Sequence, residues 1–586
     1  MSLITRFHQP QPQGRTTAEE DLTAEEGTAG DGPGSRRRLR SVVARVTTYL
    51  ACLLVLLALI APDEVGRLTP GAFVRIPVEA LLTVAFILVL PARARRVVAV
   101  VAGAALGVLA IWKITDLGFS AVLDRPFNPV FDWSFFPAAV DFLTASIGRA
   151  GAIGSVIGVG ALAVAVLVVM VLSVLRLSRL VVRHNSTATG AVAALGITWV
   201  VCAVLSVQIV PGLPVAAVAD DKLTQVGASL HDQEAFAAEA SVDAFRDTPS
   251  DELLSALRGK DVIVSFVESY GRDAVEDPNF ASQVGAVLDA GTSRLRAAGF
   301  GSRSAFLISP TSGGGSWLAH DTLMSGLWID NQQRSDNLLK SDRLTLSGAF
   351  KRAGWRTVAV MPGSTEPWPE GAFFGYDKIY TAPDLGYRGP RFNWGTMPDQ
   401  YTLSNFQRTE RAAPGHTPVM AEIPLVSSHA PWTPIPRLVD WDDVGDGSAF
   451  NGMTSAGVSQ GSAWSDFRQV RTDYGRSIEY SLNSLISYVE KYGDDDLVLV
   501  FLGDHQPAPL ITGVGADRDV PITIVAHDPA VLDRISGWGW QDGLKPGPRA
   551  PVWQMSDFRD RFLSAFGSQP PSTQPPSSQP SAPPAR

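Results

Sequence analysis

Five long apolar segments occupy the first 210 residues and constrain the fold more than any other feature of the chain. They lie at Val42–Ala61, Val74–Leu90, Val97–Ile114, Ala150–Leu175 and Ala191–Val210. Most approach or exceed the ~20 residues that an α-helix needs to cross a bilayer. Buried helices of a large soluble core are the alternative, but successive runs with almost no internal charge argue against it. We therefore predict a five-helix transmembrane domain over residues 36–211.

Basic residues flank alternate ends of these segments and predict the orientation of the chain. They are Arg36, Arg37, Arg38 and Arg40 before the first segment, Arg93, Arg95 and Arg96 after the second, and Arg176, Arg179, Arg183 and His184 after the fourth. Arg and Lys are enriched on the cytoplasmic side of membrane proteins. We expect a multi-pass plasma-membrane protein with a cytoplasmic N-terminus and with everything after Val210 outside the cell.

Polar segments surround the apolar ones. We interpret residues 1–35 as a disordered cytoplasmic tail and residues 212–258 as a juxtamembrane helical linker. Residues 568–586, rich in Pro, Ser and Gln, are interpreted as a second disordered tail. The loop 116–148 carries several aromatic residues and forms either a short interfacial helix or a plain loop.

Composition excludes several classes of protein. The net charge of −9 gives no indication of nucleic-acid binding. The two cysteines, Cys52 and Cys202, both lie in apolar segments, which excludes a disulfide framework and a cysteine zinc site. Ala, Val, Gly and Arg are abundant and Lys is scarce, a pattern typical of a GC-rich bacterial genome.

Residues 259–567 show the alternating strand and helix patterns of an α/β domain with a mostly parallel sheet and helices on both faces. The predicted strands are Val262–Val267, Ala305–Ile308, Thr357–Met361, Val419–Leu425, Leu497–Leu502 and Ile522–Ala526. The predicted helices include Phe280–Ala298, Ser316–Leu327, Leu344–Ala353 and Tyr474–Lys491. Because ligands bind beyond the carboxyl ends of strands in such sheets, the residues after each strand form the candidate site.

Four of these strand ends carry side chains that suit a divalent cation and its substrate. They deliver Glu268, the pair Asp504 and His505, His429, and Ser316 at the end of a glycine-rich turn. Two carboxylates, an imidazole and a serine oxygen form a ligand set suited to Zn²⁺ or Mn²⁺. The cation would lower the pKa of the Ser316 hydroxyl and so make it a nucleophile toward phosphorus. His429 would protonate the departing oxygen or hold a phosphate oxygen.

Each candidate also has a plainer interpretation. Glu268 could be a hydrated strand-end acid, Asp504 a turn cap and His429 a loop histidine. The glycine turn 311–317 could be an ordinary loop before a helix. His320 lies one turn into the predicted helix and could support the site from behind rather than touch substrate. Their joint occurrence at one edge of the predicted sheet favours the functional interpretation.

The chain resembles the lipoteichoic acid synthase group of the alkaline phosphatase–sulfatase superfamily, which includes phosphoglycerol transferases. Four motifs carry the resemblance: VIVSFVES at 262–269, TSGGGSW at 311–317, SSHAPW at 427–432 and FLGDHQP at 501–507. The resemblance implies an alkaline phosphatase-like domain in which Glu268, Ser316, Asp504 and His505 hold one divalent ion, with Mn²⁺ favoured and Zn²⁺ or Mg²⁺ possible. It also implies that His429 and Trp368 contact the substrate, and we add His320 to these candidates.

The chain departs from the family pattern at several positions. The family's usual threonine nucleophile is replaced by Ser316, a frequent lysine by Gly315 and a frequent arginine by Glu370. The missing cations leave the donor head group open. Arg388 or Arg391 could substitute for them, and Arg388 is the candidate that would bind substrate. The run from Ser316 to His320 lacks the Pro and Arg of the formylglycine motif, which argues against a formylglycine sulfatase.

The sequence therefore predicts a membrane-anchored transferase. It would move a phospho-head group from a phospholipid to a cell-envelope glycan or other hydroxyl acceptor through a phosphoserine intermediate. A hydrolase of the same superfamily, acting on phosphodiesters or sulfuric esters, is one alternative. A catalytically silent envelope scaffold is the other.

Overall fold

The computed structural model describes residues 33–73, 76–204, 215–392, 395–454 and 466–568. Most of the two predicted tails, up to residue 32 and from residue 569, lies outside the described residues. Six helices precede the first strand: α1 (Pro33–Ile60), α2 (Val78–Val89), α3 (Ala92–Leu123), α4 (Phe135–Arg183), α5 (Asn185–Val204) and α6 (Val215–Ser241). The first of them begins inside the segment that we interpret as a polar tail.

The first five helices supply five spans that are long and apolar enough to cross a membrane. These spans are Arg40–Ile60, Pro70–Val89, Ala92–Leu123, Gly148–Arg183 and Asn185–Cys202. Each overlaps one predicted segment, so the five-helix N-terminal region is confirmed. The third span continues past its predicted end, to Leu123. Within it, the buried Lys113 donates hydrogen bonds to the Ala58 and Ala61 carbonyls at the end of α1 (3.1 and 2.7 Å). Such terminal carbonyls have no partner within their own helix.

The segment between the third and fourth spans is helical rather than a plain loop. A single 3₁₀ turn, Asp132–Ser134, leads directly into α4, and α4 breaks at Gly148 with φ 76° and ψ 163°. Glycine adopts this backbone conformation at little cost. Arg125 donates to both oxygens of the buried Asp132 carboxylate at 2.7 Å and ties the start of this segment together.

The C-terminal domain is built on one nine-stranded sheet. Its strands are β1 (Asp261–Val267), β2 (Gly301–Ile308), β3 (Arg356–Met361), β4 (Lys378–Thr381), β5 (Val419–Leu425), β6 (Leu497–Gly503), β7 (Asp519–Ala526), β8 (Gln541–Asp542) and β9 (Val552–Gln554). The order is β4-β3-β5-β1-β6-β7-β2-β8, and β9 pairs with β2. All six predicted strands are present, and the predicted α/β fold class is confirmed.

The antiparallel strand β7 allows β2, which leads into the glycine turn before Ser316, to end at the same edge of the sheet as the other site strands. The pairs β3–β5, β5–β1 and β1–β6 are parallel, whereas β7 runs antiparallel to both β6 and β2. Two reversals restore the direction, so β2 ends at the same edge as β1, β5 and β6. Val267 lies opposite both Leu425 and Gly503, which aligns the ends of the three central strands.

Helices cover both faces of the sheet because the central strands are apolar on both sides. They are α7 (Asp273–Glu276), α8 (Ala281–Ala297), α9 (Ser316–Ser325), α10 (Gln332–Leu338), α11 (Leu346–Arg352), α12 (Asp399–Phe406), α13 (Phe467–Tyr492), α14 (Pro509–Thr512), α15 (Pro529–Arg534) and α16 (Asp557–Phe566). Residues of α8, α12 and α13 form a core with Ile263 and Val267 of β1. Residues of α9, α11 and α16 form another with Val262, Val264 and Phe266 of the same strand.

Candidate metal centre and active site

Glu268 is fixed by the sharp turn that follows β1. Ser269 takes a positive φ of 57°, and its backbone N–H donates to Asp504 Oδ1 at 2.8 Å. The Ser269 hydroxyl donates to Glu268 Oε1 at 2.8 Å, and the Ser428 hydroxyl donates to the Glu268 carbonyl at 2.6 Å. The turn therefore joins the ends of three neighbouring strands.

Asp504 and His505 follow β6 and are almost fully buried. His505 donates from Nδ1 to the Gln506 carbonyl at 2.8 Å, so its Nε2 is left to face the site. This Nε2 lies 3.5 Å from Glu268 Oε1 and 3.6 Å from Asp504 Oδ2. Ligand atoms of these three residues all lie within 4.8 Å of one another, and the cluster could hold a metal ion.

Ser316 joins the cluster from the N-terminus of α9. The three preceding glycines all have positive φ angles, and Gly313 donates from its backbone to the Gln506 carbonyl at 2.8 Å. The Ser316 hydroxyl donates to Glu268 Oε2 at 3.1 Å and lies 3.2 Å from His505 Nε2. The structure therefore brings together all four predicted ligands, which come from three distant parts of the sequence.

The cluster holds two carboxylates and one imidazole, and these groups shift one another's pKa values. Burial and the negative charge of Glu268 together raise the pKa of Asp504 to about 6, against the opposing effect of His505. Burial would also raise the pKa of Glu268, but the charges of His429 and His505 prevail and hold it below its usual value. Burial lowers the pKa of His505, but the two carboxylates outweigh this and raise it. Two close carboxylates around one imidazole fit a divalent cation that takes N and O ligands.

His429 lies at the same edge, in the loop after β5. Its Nδ1 donates to the Ala430 carbonyl at 2.7 Å, which leaves Nε2 for a substrate. The charge of His429 acts on Glu268 and helps to hold the pKa of that carboxylate below its usual value, against the effect of burial. The substrate role of His429 stays a prediction.

His320 lies behind the cluster, on a relay of buried polar groups. Its ring stacks on Phe266 with centroids 3.8 Å apart, and its Nδ1 donates to Glu422 Oε1 at 2.9 Å. The other oxygen of Glu422 accepts a hydrogen bond from the Tyr376 hydroxyl. Burial lowers the pKa of His320, but the hydrogen bond and charge of Glu422 prevail and raise it. These contacts favour the supporting role over direct substrate binding.

The other two candidate substrate residues, Trp368 and Arg388, have different surroundings from each other. The Trp368 ring packs against Phe374 and Tyr376, with centroids 5.6 and 6.2 Å apart, and so reaches the same relay. Arg388 is exposed, and its backbone N–H donates to the Asp446 carbonyl at 2.9 Å. Among the described contacts, none joins the Arg388 side chain to the cluster, and its substrate role stays a prediction.

Sequence reasoning missed Glu422 and Tyr376. Glu422 is the only charged residue within β5 and is 1% exposed. A carboxylate in the middle of an apolar strand needs a buried partner, and this was the available signal. Nothing local in the sequence marks Tyr376 as that partner, because 46 residues separate them.

A Ser-Glu-Asp-His cluster at the carboxyl edge of a largely parallel sheet, behind five candidate membrane spans, defines a class of membrane-anchored enzymes with a candidate metal site. Residues 287–513 match the family model described as Sulfatase, and this region contains Ser316, His429, Asp504 and His505. Residues 287–513 therefore carry a Sulfatase-like domain, and this match supports an enzyme.

Several solved structures are also similar to the chain. The lipoteichoic acid synthase LtaP from Listeria monocytogenes is 15% identical over 57% of this chain and 77% of its own, with a TM-score of 0.34. The phosphoglycerol transferase GacH from Streptococcus pyogenes, in complex with sn-glycerol-1-phosphate, is 13% identical over 57% and 91%, with a TM-score of 0.34. The integral membrane phosphoethanolamine transferase EptA from Neisseria meningitidis is 13% identical over 89% and 95%, with a TM-score of 0.43. No curated protein sequence matches the chain significantly.

Proposed function

We propose that the protein transfers a phospho-head group from a membrane phospholipid to a hydroxyl acceptor through a phosphoserine intermediate. The observation that carries this proposal is the position of the Ser316 hydroxyl, 3.1 Å from Glu268 and 3.2 Å from His505 within the candidate metal cluster. A hydroxyl at a helix N-terminus, next to a cluster that fits a cation, suits attack on an anionic phosphodiester.

The cofactor in this proposal is one divalent ion, with Mn²⁺ favoured and Zn²⁺ or Mg²⁺ as alternatives. Glu268, Asp504, His505 and the Ser316 oxygen would hold it. When bound, the ion lowers the pKa of the serine hydroxyl and offsets charge on the phosphoryl group. The close approach of two carboxylates to one imidazole supports this assignment.

The chemistry of the residues follows from this arrangement. The Ser316 hydroxyl loses its proton to solvent and its oxygen forms a bond to phosphorus. The bond from phosphorus to the diacylglycerol oxygen breaks, and His429 donates a proton to that oxygen. Diacylglycerol leaves and phosphoserine remains. In the second half, the acceptor hydroxyl attacks the phosphoserine and gives its proton to His429. The bond from phosphorus to the Ser316 oxygen breaks, and that oxygen takes a proton from solvent.

A membrane donor suits a domain held by five candidate spans, because its site stays close to the lipid head groups. We place the domain outside the cell on the evidence of the flanking arginines. The acceptor is then a cell-envelope glycan or another extracytoplasmic hydroxyl.

The direct test is turnover of fluorescent phosphatidylglycerol by the purified full-length protein with Mn²⁺. Diacylglycerol should be released, and mass spectrometry should find a phosphoryl adduct on Ser316. Ser316→Ala should lower the rate at least about a thousandfold, since the nucleophile is removed. Release of diacylglycerol by Ser316→Ala at the wild-type rate would exclude the assigned nucleophile.

A hydrolase is the second candidate, and the match to the Sulfatase family model favours it. Water would then replace the acceptor hydroxyl in the second half of the reaction. Product analysis with and without a glycan acceptor separates the two functions. A transferase forms a glycan adduct, whereas a hydrolase releases the free head-group phosphate in both cases.

A further inference from the structure

The end of the third membrane helix packs directly against the catalytic glycine turn. A Cβ built on Gly313 would lie 1.7 Å from the Val122 carbonyl oxygen, and one on Gly314 would lie 3.5 Å from the Leu123 side chain. One on Gly315 would lie 3.7 Å from the Phe135 ring. Because these glycines have no side chains, the membrane region can pack closely against the turn that carries Ser316, as a ligand also could.

An aromatic pair spans this contact beside the nucleophile. Trp317, which follows Ser316, lies with its ring centroid 5.5 Å from that of Phe135. The Trp317 indole N–H donates to Gln332 Oε1 at 3.0 Å, which fixes the ring. Phe135 begins the helix that leads into the fourth span.

More aromatic rings continue from this pair toward the spans. Phe119, Phe127, Trp133, Phe135, Phe136 and Trp317 form what we call the aromatic ledge. Neighbouring centroids within it are 5.0 to 6.3 Å apart. Three of its rings are exposed: Trp133 at 62%, Phe136 at 44% and Trp317 at 36%. Ring contacts through the buried Phe127 and the partly buried Phe119 and Phe135 thus connect the exposed rings near the ends of two spans with the residue after Ser316.

We propose that the aromatic ledge binds the diacylglycerol part of the donor phospholipid and so places its phosphorus at Ser316. This inference rests on the proposed function. Two observations favour a lipid as the occupant. The ledge is continuous with spans that end at Leu123 and begin at Gly148, and aromatic rings concentrate at the depth of the lipid glycerol region. Arg125, the cation beside it, is already held by both oxygens of Asp132, so the ledge suits the apolar part of a lipid rather than its head group.

The test compares two donors with the full-length protein in detergent micelles. One donor is long-chain phosphatidylglycerol, and the other is bis(p-nitrophenyl) phosphate, a diester without acyl chains. The variants are Trp133→Ala and Phe136→Ala. The matched control is Phe86→Ala, an aromatic that is 61% exposed on a different membrane helix.

Each ledge variant should lower the ratio of kcat/KM for the lipid to kcat/KM for the soluble diester about tenfold, mainly through KM, because one ring contact with the lipid is lost. Phe86→Ala should leave the ratio as in the wild type. A parallel fall with both donors would mean that the ledge only supports the turn, and an unchanged ratio would mean that it does not bind lipid. Either result overturns the inference.

Binding is also measured without turnover, in the Ser316→Ala background. A phospholipid with a photoreactive group near the start of an acyl chain should label the peptides that contain Trp133 and Trp317, and Phe136→Ala should reduce that labelling. If the lipid labels Trp317 but the protein with Ser316 intact turns over neither donor, the ledge is retained and the proposed transferase is rejected. Turnover of lipid without labelling at Trp317 would reject the ledge and retain the transferase.

Discussion

At the scale of single residues, the candidate metal cluster concentrates two carboxylates and one imidazole at one point of the catalytic domain. Glu268 and Asp504 approach the same imidazole within 3.6 Å, and the pKa of Asp504 rises to about 6. Protons therefore compete with a cation for the same atoms.

Metal binding should depend on both carboxylates and on pH. Glu268→Gln or Asp504→Asn should lower Mn²⁺ affinity at least about a hundredfold, because each removes a charged ligand from the buried cluster. In the wild type, affinity should fall as pH decreases through about 6, where Asp504 takes up a proton. Isothermal titration calorimetry between pH 5 and 8 measures both effects. Glu370→Gln, an exposed change, is the control, and an affinity that is flat over this range would contradict the prediction.

Asp321 supplies a prediction about stability rather than chemistry. Its carboxylate is buried and accepts a hydrogen bond from the Ser335 hydroxyl at 2.6 Å, and burial raises its pKa from 3.8 to about 7. Between these values the unfolded chain binds fewer protons at this site than the folded chain. The contribution of Asp321 to the free energy of unfolding therefore falls as pH rises from about 4 to about 7.

Asp321→Asn should remove this pH dependence. The variant should gain about 1–3 kcal/mol relative to the wild type at pH 8 and little at pH 5, because the amide carries no charge to bury. Thermal unfolding at the two pH values measures the difference. If Asp321→Asn were equally destabilised at both pH values, the carboxylate would be needed for its hydrogen bond with Ser335, and burying its charge would cost no stability.

At the scale of elements, the glycine turn is held between the sheet and the third membrane helix. Gly313 has φ 71° and stands against the Val122 carbonyl oxygen. Gly313→Ala should therefore cost at least about 2 kcal/mol, from an unfavourable backbone conformation together with a clash. It should also lower kcat, because Ser316 lies three residues further along the same turn.

Gly539→Ala separates the two causes of this loss. Gly539 also has a positive φ, 74°, in the left-handed helical region, but no atom lies within 4 Å of a Cβ built there. The control should lose about 1 kcal/mol from conformation alone. Thermal unfolding and kcat of both variants are measured in the full-length protein, and equal losses would show that contact with the membrane helix has no role.

The same elements show what the sequence could and could not predict. Apolar runs predicted β1, β5 and β6, and their parallel ends predicted that Glu268, Asp504 and His505 would meet. The strands β8 and β9 have two and three residues, too few to show any pattern. The reversed direction of β7 depends on pairing between residues far apart in sequence, and local periodicity carries no information about that.

The candidate site likewise contains residues that local sequence predicts and residues that it does not. The four predicted ligands follow buried strands or a glycine turn, which are features that local sequence reveals. Glu422, Tyr376 and Phe135 act through contacts with distant segments, and each resembles an ordinary strand or helix residue until the fold is known. Local pattern identifies which residues reach an edge of the sheet, whereas packing decides what stands behind and beside them.

At the scale of the whole molecule, α6 connects the membrane helices to the catalytic domain. Lys222 of α6 forms an ion pair with Asp116 of α3 at 3.2 Å, and Asn128 donates to the Ser229 hydroxyl at 3.0 Å. At the other end, Arg334 of α10 donates to Asp232 at 2.8 Å. These contacts hold the catalytic domain against the end of the third span, and a site held there can work only on the side of the membrane to which that span points.

Orientation is the remaining whole-molecule prediction, and single cysteines can test it. Cys52 and Cys202 lie within spans and would first be changed to alanine. His184, between the fourth and fifth spans, and Ser250, before β1, are both exposed. If the arginine-flanked ends are cytoplasmic, Ser250→Cys should react with a membrane-impermeant maleimide in intact cells, whereas His184→Cys should react only after permeabilisation. The reverse result would place the metal cluster in the cytoplasm, where an extracytoplasmic glycan could not reach the phosphoserine.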